Sequence, residues 1–425
     1  MKNVIVALVI GIIGTTLQAD PLLDSWYTKD SKRYARLYPT AADKQNGNAV
    51  TTWRWGMGVQ TVPVLAGVHD VSYSKDWVYI HTSGLASYVM GPWYLNANQT
   101  RMFPSFPADT KTTYRIPRTP TILTTKTLTG LGPIGYFVNG VALFDNRDAH
   151  YWNGKFDAMG EGIWNRDAYV NEGITFDSSM AHQAQAQYHY HANPIALRYQ
   201  LGDHVDYDAQ NNHYSESTRP VTKHSPVLAW ARDGLPIYGP YGYSDPMNSK
   251  SAIRRMVSGY VIRDGKNGTQ NLALTGRTTL PKWAERAYKV TAPLRKSEFG
   301  PNVTTGMPLG RYIEDHDYLG DLGKKQGADF DLNELNARFC VTPEFPNGTW
   351  AYFVAIDNDA NPAFPYNIGH SFVGFPAGGN ISAISEAVTT RFAVNVASAP
   401  VPATASDSTI SLVWNPADGG KYQKH

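Results

Sequence analysis

The sequence has one cysteine, a small share of charged residues and no long apolar run after its first residues. A lone Cys340 excludes an internal disulfide, and its apolar neighbours in the run 338–341 predict a buried side chain rather than a nucleophile. Because 38 Lys+Arg stand against 36 Asp+Glu, the chain carries no basic excess and we expect no nucleic-acid partner. We also expect no membrane span in the mature chain.

The common catalytic and cofactor motifs are missing as well. There is no G-x-S-x-G, H-E-x-x-H or C-x-x-C pattern, so serine-based hydrolysis has no support in the sequence. The run Gly130–Gly135 matches the G-x-G-x-x-G pattern of a dinucleotide-binding loop. Pro133 and the hairpin that follows exclude the helix that would hold a pyrophosphate, and we therefore expect no nucleotide cofactor.

The first 19 residues have the pattern of a signal peptide. Lys2 supplies a positive charge, Val4–Ile13 is apolar, and Ala19 is the small residue before the predicted cleavage site. The apolar stretch is shorter than the roughly 20 residues that a membrane span needs. The sequence therefore predicts export, to the periplasm, the cell surface or the extracellular medium.

Turn-forming residues and aromatic residues dominate what remains, with 37 Gly, 27 Pro and 12% aromatic residues. Ile134–Phe144 places Asn139-Gly140 between two apolar runs, and Val227–Tyr238 does the same with Asp233-Gly234, which predicts two hairpins closed by type I′ turns. Helix is predicted only at Trp283–Val290 and, as a short element, at 251–256. The predicted fold is mainly β, a sandwich-like domain of two related hairpin units with long loops and minor helix.

A third turn, Asn347-Gly348, precedes the strand-like run Thr349–Ile356. When Tyr188–His191 is aligned with Trp350–Phe353, each hairpin is followed by an aromatic strand, so the same order occurs twice. This order indicates an internal duplication whose second copy lacks both histidines; chance similarity of short β motifs is the alternative. We assign residues 20–376 to this domain, and residues 377–425 to a linker and the incomplete start of a fibronectin-like module.

Histidines are concentrated in one part of the chain. Six of the 12 lie within 43 residues: His182, His189, His191, His204, His213 and His224. From Gln183 to His191 polar and other residues alternate strictly, so a strand here would present His189 and His191 on one face and pack Tyr188 and Tyr190 on the other.

Two histidines at this spacing lie roughly 6.5–7 Å apart at Cα and can share one ion, with Zn or Cu the metals that we expect. A third ligand must come from elsewhere. His182 can join only if the chain turns between His182 and about Gln187, and His224 and Asp177 are further candidates. The alternative is two solvated or hydrogen-bonded histidines on an exposed strand.

Two functional hypotheses follow. In the first, His182, His189 and His191 hold a metal that drives hydrolysis or oxidation of a small molecule, with Asp233 and Glu344 as candidate acid/base groups. In the second, the protein is a non-catalytic binder of carbohydrate or a surface polymer, and its histidines are structural. The aromatic residues that would grip the polymer are Trp53, Trp55, Trp93, Trp152 and Trp164.

The motifs along the chain resemble those of the YHYH-domain family. The resemblance spans about Tyr114 to Phe375 and implies an exported protein without fixing its reaction. A histidine commonly precedes the YHYH segment in that family, and His182 occupies this place. Shorter members carry a second YHYH after the third hairpin, where this chain has Trp350–Phe353, and residues 201–222 resemble an insertion of a longer subgroup. The matching segments are Gly132–Val141, Tyr188–His191, His224–Gly242, Asp331–Glu334, Pro343–Thr349 and Phe364–Gly369.

Overall fold

The computed structural model describes residues 20–26 and 33–394, together with the backbone of 412–415 and 421–424. The predicted signal peptide 1–19 and most of the predicted fibronectin-like segment lie outside these residues. No helix in the described ranges combines the length and the apolar character that crossing a bilayer requires.

Most of the described chain is strand or turn, as predicted for a mainly β fold. The largest sheet has eight strands and contains both predicted hairpins. In spatial order these strands are Ala181–Ala184, Gln187–Tyr190, Ala142–Phe144, Pro133–Phe137, Val227–Ala231, Pro236–Tyr238, Thr349–Phe353 and Ala337–Cys340.

The two hairpin turns differ in type from the prediction. A type I′ turn needs a positive φ at both central residues, whereas here only Gly140 (φ 80°) and Gly234 (φ 85°) have one. Gly140 N donates to Phe137 O, and Phe137 N donates to Val141 O, the pattern of a type I turn followed by a glycine bulge. Asn139 and Asp233 instead accept, through their side chains, from the backbone two residues on.

The two hairpins are related by a local two-fold axis in the middle of the sheet. Val138 N donates to Leu228 O at 2.8 Å, and reciprocally Arg232 N donates to Ile134 O at 2.9 Å. The hairpins therefore lie side by side in one layer instead of facing each other across a sandwich.

The outer strands repeat the same arrangement on both sides of this axis. Tyr190 pairs with Leu143 in parallel register, and Tyr352 pairs in the same way with Ile237. Asp177 N donates to Ala181 O and Asn333 N to Ala337 O, both at 2.9 Å, so even the preceding turns match. The duplication is thus visible in the backbone: His182 corresponds to Arg338, His189 to Ala351 and His191 to Phe353.

A second sheet packs against the first. Its Tyr114 meets Tyr136 of the large sheet with ring centroids 4.6 Å apart, and side chains of both sheets share one buried cluster. Two of its strands follow residue 376, so the sheet extends past the predicted start of the linker. The five strands are, in order, Gly379–Ile381, Thr112–Pro117, Trp77–Thr82, Val68–Tyr73 and Thr389–Ala393.

The remaining strands form small sheets at the margins. One has three strands, Asp157–Met159, Arg147–Trp152 and Asn165–Asp167. The two-stranded pairs are Arg36–Leu37 with Val89–Met90, Trp53–Trp55 with Gly58–Gln60, Val205–Asp208 with His213–Glu216, Tyr241–Tyr243 with Ile253–Arg255, Tyr260–Ile262 with His316–Tyr318, and Leu412–Asn415 with Lys421–Lys424.

Helices are short, and a second core gathers around some of them. The helix predicted near Trp283 is present, whereas the one predicted at 251–256 is wrong, since Ile253–Arg255 is a strand held by Tyr241–Tyr243. Trp164, Trp283 and Tyr312 belong to this separate buried cluster. The α-helices are Pro21–Asp24, Ala41–Gln45, Ala168–Glu172, Ile195–Gln200, Leu272–Thr275 and Lys282–Tyr288; the 3-10 helices are Gly173–Thr175, Lys296–Glu298, Ile313–Asp315 and Leu319–Leu322.

Candidate metal centre

A tight turn folds His182 back onto the Tyr188–His191 segment. Gln185 has a positive φ of 57°, which ends the first strand and starts the second. His182 is consequently the antiparallel partner of His189. The single alternating strand expected from Gln183 onwards is therefore two strands, and the turn that the third ligand required is confirmed.

The three imidazoles converge on one point. One ring nitrogen from each of His182, His189 and His191 lies within 4.8 Å of those of the other two. The Nε2 atoms of His189 and His191 are 2.9 Å apart. All three residues are at most 4% exposed, so the alternative of solvated histidines on an open strand does not describe them.

The hydrogen bonds at the far side of each ring fix the tautomer. His189 Nδ1 faces the carbonyl of Gln187 at 3.0 Å, and His191 Nδ1 faces that of Asp145 at 2.6 Å. Because a carbonyl can only accept, both Nδ1 atoms must carry the hydrogen. His182 Nδ1 lies 2.7 Å from the Thr175 hydroxyl, whose own proton goes to the carbonyl of Glu172, so His182 also donates from Nδ1.

When all three rings are neutral, they direct unprotonated Nε2 atoms at one another. Two such nitrogens 2.9 Å apart cannot form a hydrogen bond, since neither has a proton to give. His182 Nε2 is buried and has no hydrogen-bond partner. This arrangement needs a positive charge between the rings, which is either a proton or a metal ion.

A carboxylate that sequence reasoning missed stands beside the histidines. Glu172 Oε2 is 3.3 Å from His191 Nε2 and 3.5 Å from His182 Nε2. Glu172 ends the helix Ala168–Glu172, a position where the helix dipole disfavours an acid. The sequence predicts no helix at 168–172, so no sequence signal had singled out Glu172.

Burial and the neighbouring charges act differently on the three rings. Burial, followed by the nearby His189 and His191, holds the pKa of His182 well below its ordinary value. Burial also lowers the pKa of His189 strongly, with His191 adding to the effect. For His191 burial acts in the same direction, but the Glu172 carboxylate overcomes it and raises the pKa.

Aromatic rings hold the histidines from the sides. Phe144 stacks on His189 with centroids 3.9 Å apart, and Phe176 meets His182 edge-on at 4.9 Å. Tyr188 and Tyr190 are fully buried on the opposite face of the strand, as the alternation predicted. Packing on both faces leaves the imidazoles little freedom to turn away.

The cluster forms part of the wall of a pocket of about 500 Å³. Two exposed apolar residues, Met57 (62%) and Leu131 (42%), also line this pocket. Phe103, Phe144 and Glu172 line the same space. A small molecule in this pocket would therefore lie against the histidine cluster.

Asp177 and His224, the other two candidate ligands, lie elsewhere. Asp177 faces the tyrosine side of the strand, where it accepts from Tyr188 OH and from the backbone of Gly91, Ser179 and Ala181. Burial raises its pKa to about 6. His224 packs against Tyr238 in the second hairpin unit, and burial lowers its pKa to about 4.

Asp233 and Glu344 are also outside this pocket. Asp233 is buried at the second hairpin turn and accepts from Tyr352 OH at 2.7 Å and from Gly374 N at 2.9 Å. Glu344 accepts from Tyr238 OH and lines a different cavity of about 300 Å³, together with His224. The structure gives both acids hydrogen-bonding roles in the second unit.

Three of the five tryptophans considered for polymer binding are core residues. Trp53, Trp93 and Trp164 are at most 7% exposed, and each donates its indole hydrogen to a backbone carbonyl. Trp55 and Trp152 retain some exposure. The five residues therefore do not form one platform for a polymer.

The fold and the site define a mainly β protein with two large sheets and a buried three-histidine cluster at the strand Gln187–Tyr190. The model of the YHYH protein family matches residues 113–364, more than half of the chain, and the chain belongs to this family. No curated protein and no solved structure matches the sequence.

Proposed function

We propose that this protein is an exported metalloprotein that holds one transition-metal ion, zinc or copper, on His182, His189 and His191. Glu172 stands beside them as the fourth ligand. The observation that carries the proposal is the orientation of the rings: all three donate from Nδ1 and turn their Nε2 atoms towards one point. Backbone or side-chain acceptors at Nδ1 are the usual outer partners of metal-binding histidines.

The spacing of the donor atoms suits a single ion. Ligand atoms about 2.0–2.1 Å from one ion lie about 2.9 Å apart at a right angle and about 3.3 Å apart at the tetrahedral angle. The measured separations are 2.9 Å between His189 and His191, and 3.3 and 3.5 Å from Glu172 to His191 and His182. Three imidazoles and one carboxylate are donors that both zinc and copper accept.

The pocket gives such an ion access to small molecules. A bound zinc or copper ion would supply Lewis-acid chemistry, and copper would also supply redox chemistry. The protein's own part is to orient the three rings, to keep the site largely dry with Phe103, Phe144 and Phe176, and to hold one carboxylate within reach.

Elemental analysis tests the proposal directly. Wild-type protein purified after expression with added zinc and copper should contain about one metal ion per chain, because three preset imidazoles bind far more tightly than any pair. The double variant His189→Ala/His191→Ala should contain close to none. Inductively coupled plasma mass spectrometry on both proteins gives the stoichiometry.

His224→Ala is the matched control, since His224 is a buried histidine in the second unit and should leave the metal content unchanged. Circular dichroism checks that the double variant is folded. Metal-free wild-type protein from replete medium contradicts the proposal, and so does a double variant that keeps its metal.

The Thr175 hydroxyl should matter for affinity without touching the metal. Thr175→Val keeps the shape but removes the acceptor for His182 Nδ1, and losing such an outer partner weakens metal binding by about 10–100-fold. Competition with a chromogenic chelator measures the change. Thr342→Val, which loses a buried hydroxyl bonded to Tyr238, is the control and should bind metal like wild type.

A further inference from the structure

Next to the metal pocket lies a second pocket that is lined by two arginines and no acid. Arg115 and Arg232 line this space of about 330 Å³ together with the segment 377–380, Leu131 and Pro133. Leu131 also lines the metal pocket, so the two spaces adjoin at this residue.

The fold brings the two arginines together from different sheets. Arg115 lies on the strand Thr112–Pro117 of the five-stranded sheet, and Arg232 lies at the second hairpin turn of the eight-stranded sheet. Gly378 bridges them, because its N–H donates to Arg232 O and a Cβ there would come within 2.7 Å of the carbonyls of both arginines. Only glycine allows this approach.

Neither guanidinium is neutralised by a carboxylate among the described residues. Arg232 Nε donates to Gly378 O at 2.6 Å, which leaves its two terminal nitrogens directed elsewhere. Arg115 lies over the Trp77 ring at 4.2 Å. Glu386 bonds to the hydroxyl of Tyr79, the strand partner of Arg115, and forms no ion pair with Arg115.

Most other buried or partly buried arginines in the described part of the chain have an acid partner. Arg147, Arg198 and Arg277 each form an ion pair with a buried aspartate. Arg115 and Arg232 are half-buried, and no acid among the residues that line their pocket offsets their charge. An anion in the pocket offsets that charge and gains charge-assisted hydrogen bonds from both forks.

We propose that Arg115 and Arg232 form an oxyanion-binding subsite, which takes a carboxylate, sulfate or phosphate group of the molecule whose other end enters the metal pocket across Leu131. The arginine half of this inference stands on its own geometry, and the connection to the metal rests on the proposed function. The ligand class is a small molecule with an oxyanion at one end and an apolar middle that covers Leu131 and Met57.

Anion binding tests the proposed oxyanion subsite of Arg115 and Arg232. Isothermal titration of the full chain with inorganic sulfate and with phosphate should show one site, and Arg115→Gln and Arg232→Gln should each weaken it by at least about tenfold, since each removes a charged donor. Arg101→Gln, at an exposed arginine outside the pocket, should change nothing. Because Arg232 also bonds to Gly378, Arg115→Gln is the variant that decides if Arg232→Gln fails to fold.

Equal sulfate and phosphate binding by wild type and Arg115→Gln overturns the subsite, and so does no binding at all. The same titration on His189→Ala/His191→Ala should give the wild-type result. The oxyanion subsite can therefore be tested even if the metal proposal fails.

Linear dicarboxylates from succinate to suberate test the connection across Leu131. On metal-loaded protein, one chain length should bind about 100-fold more tightly than acetate, because its two carboxylates can occupy both sites at once. That gain should vanish in Arg115→Gln and in the chelated protein. If the affinity does not depend on the chain length of the dicarboxylate, one ligand does not span the two pockets, and they are two separate sites.

Discussion

Metal loading should raise the free energy of unfolding by about 4 kcal/mol when the free metal is about 1,000 times its Kd, because only the folded chain presents the three Nε2 atoms together. Urea denaturation of the chelated and the metal-buffered protein measures the difference. The same comparison on His189→Ala/His191→Ala should show almost no increment, since that variant retains one imidazole of the cluster.

A second variant separates the carboxylate from the imidazoles. If Glu172 is a ligand, Glu172→Gln should weaken metal binding by about tenfold and lower the increment by about 1.4 kcal/mol. If metal raises the free energy of unfolding of Glu172→Gln as much as that of wild type, Glu172 lies beside the metal without binding it. A metal-induced increment in the double histidine variant as large as in wild type would contradict the whole centre.

Asp177→Ala should destabilise the fold by about 3 kcal/mol or more, because it leaves several buried donors without an acceptor. These donors are Tyr188 OH and the backbone N–H groups of Gly91, Ser179 and Ala181. The same substitution loosens the turn that leads into His182, so the metal affinity should fall as well. Denaturation curves and chelator competition measure the two effects.

The internal duplication supplies a matched control for this variant. Asn333 occupies the place of Asp177 in the second unit, and its side-chain oxygen accepts from Leu335 N and Ala337 N. Asn333→Ala should cost about 1–2 kcal/mol of stability, but leave metal affinity unchanged. Loss of metal affinity in both variants would mean that the turn has no specific role at the site.

Most of the local features were predictable from the sequence. Both hairpins and the burial of Tyr188 and Tyr190 followed from short motifs whose physics acts within a few residues, and the family followed from the resemblance of such motifs to known ones. The turn type was missed because Asn139 and Asp233 accept backbone hydrogen bonds through their side chains, and this stabilises a negative φ where a type I′ turn needs a positive one.

The candidate site was predictable only in part. His189 and His191 are adjacent on one strand, so alternation placed them together, whereas His182 depended on a turn that Gln185 makes without glycine. Glu172, Thr175 and the carbonyl of Asp145 reach the site from other elements, and no spacing rule connects them to the histidines. Asp177 looked like a ligand by proximity in sequence and proved to anchor the turn instead.

The sequence by itself determined which residues can act: a histidine pair at strand spacing, hairpins closed by Asn-Gly and Asp-Gly, and a repeated order of hairpin and aromatic strand whose second copy lacks the counterparts of His189 and His191. Tertiary structure alone decided that the rings turn their Nε2 atoms towards one point, because this depends on carbonyls and a hydroxyl from three separate segments. It also decided that Arg115 and Arg232 share a pocket, since two sheets must pack before residues so far apart in the chain can meet.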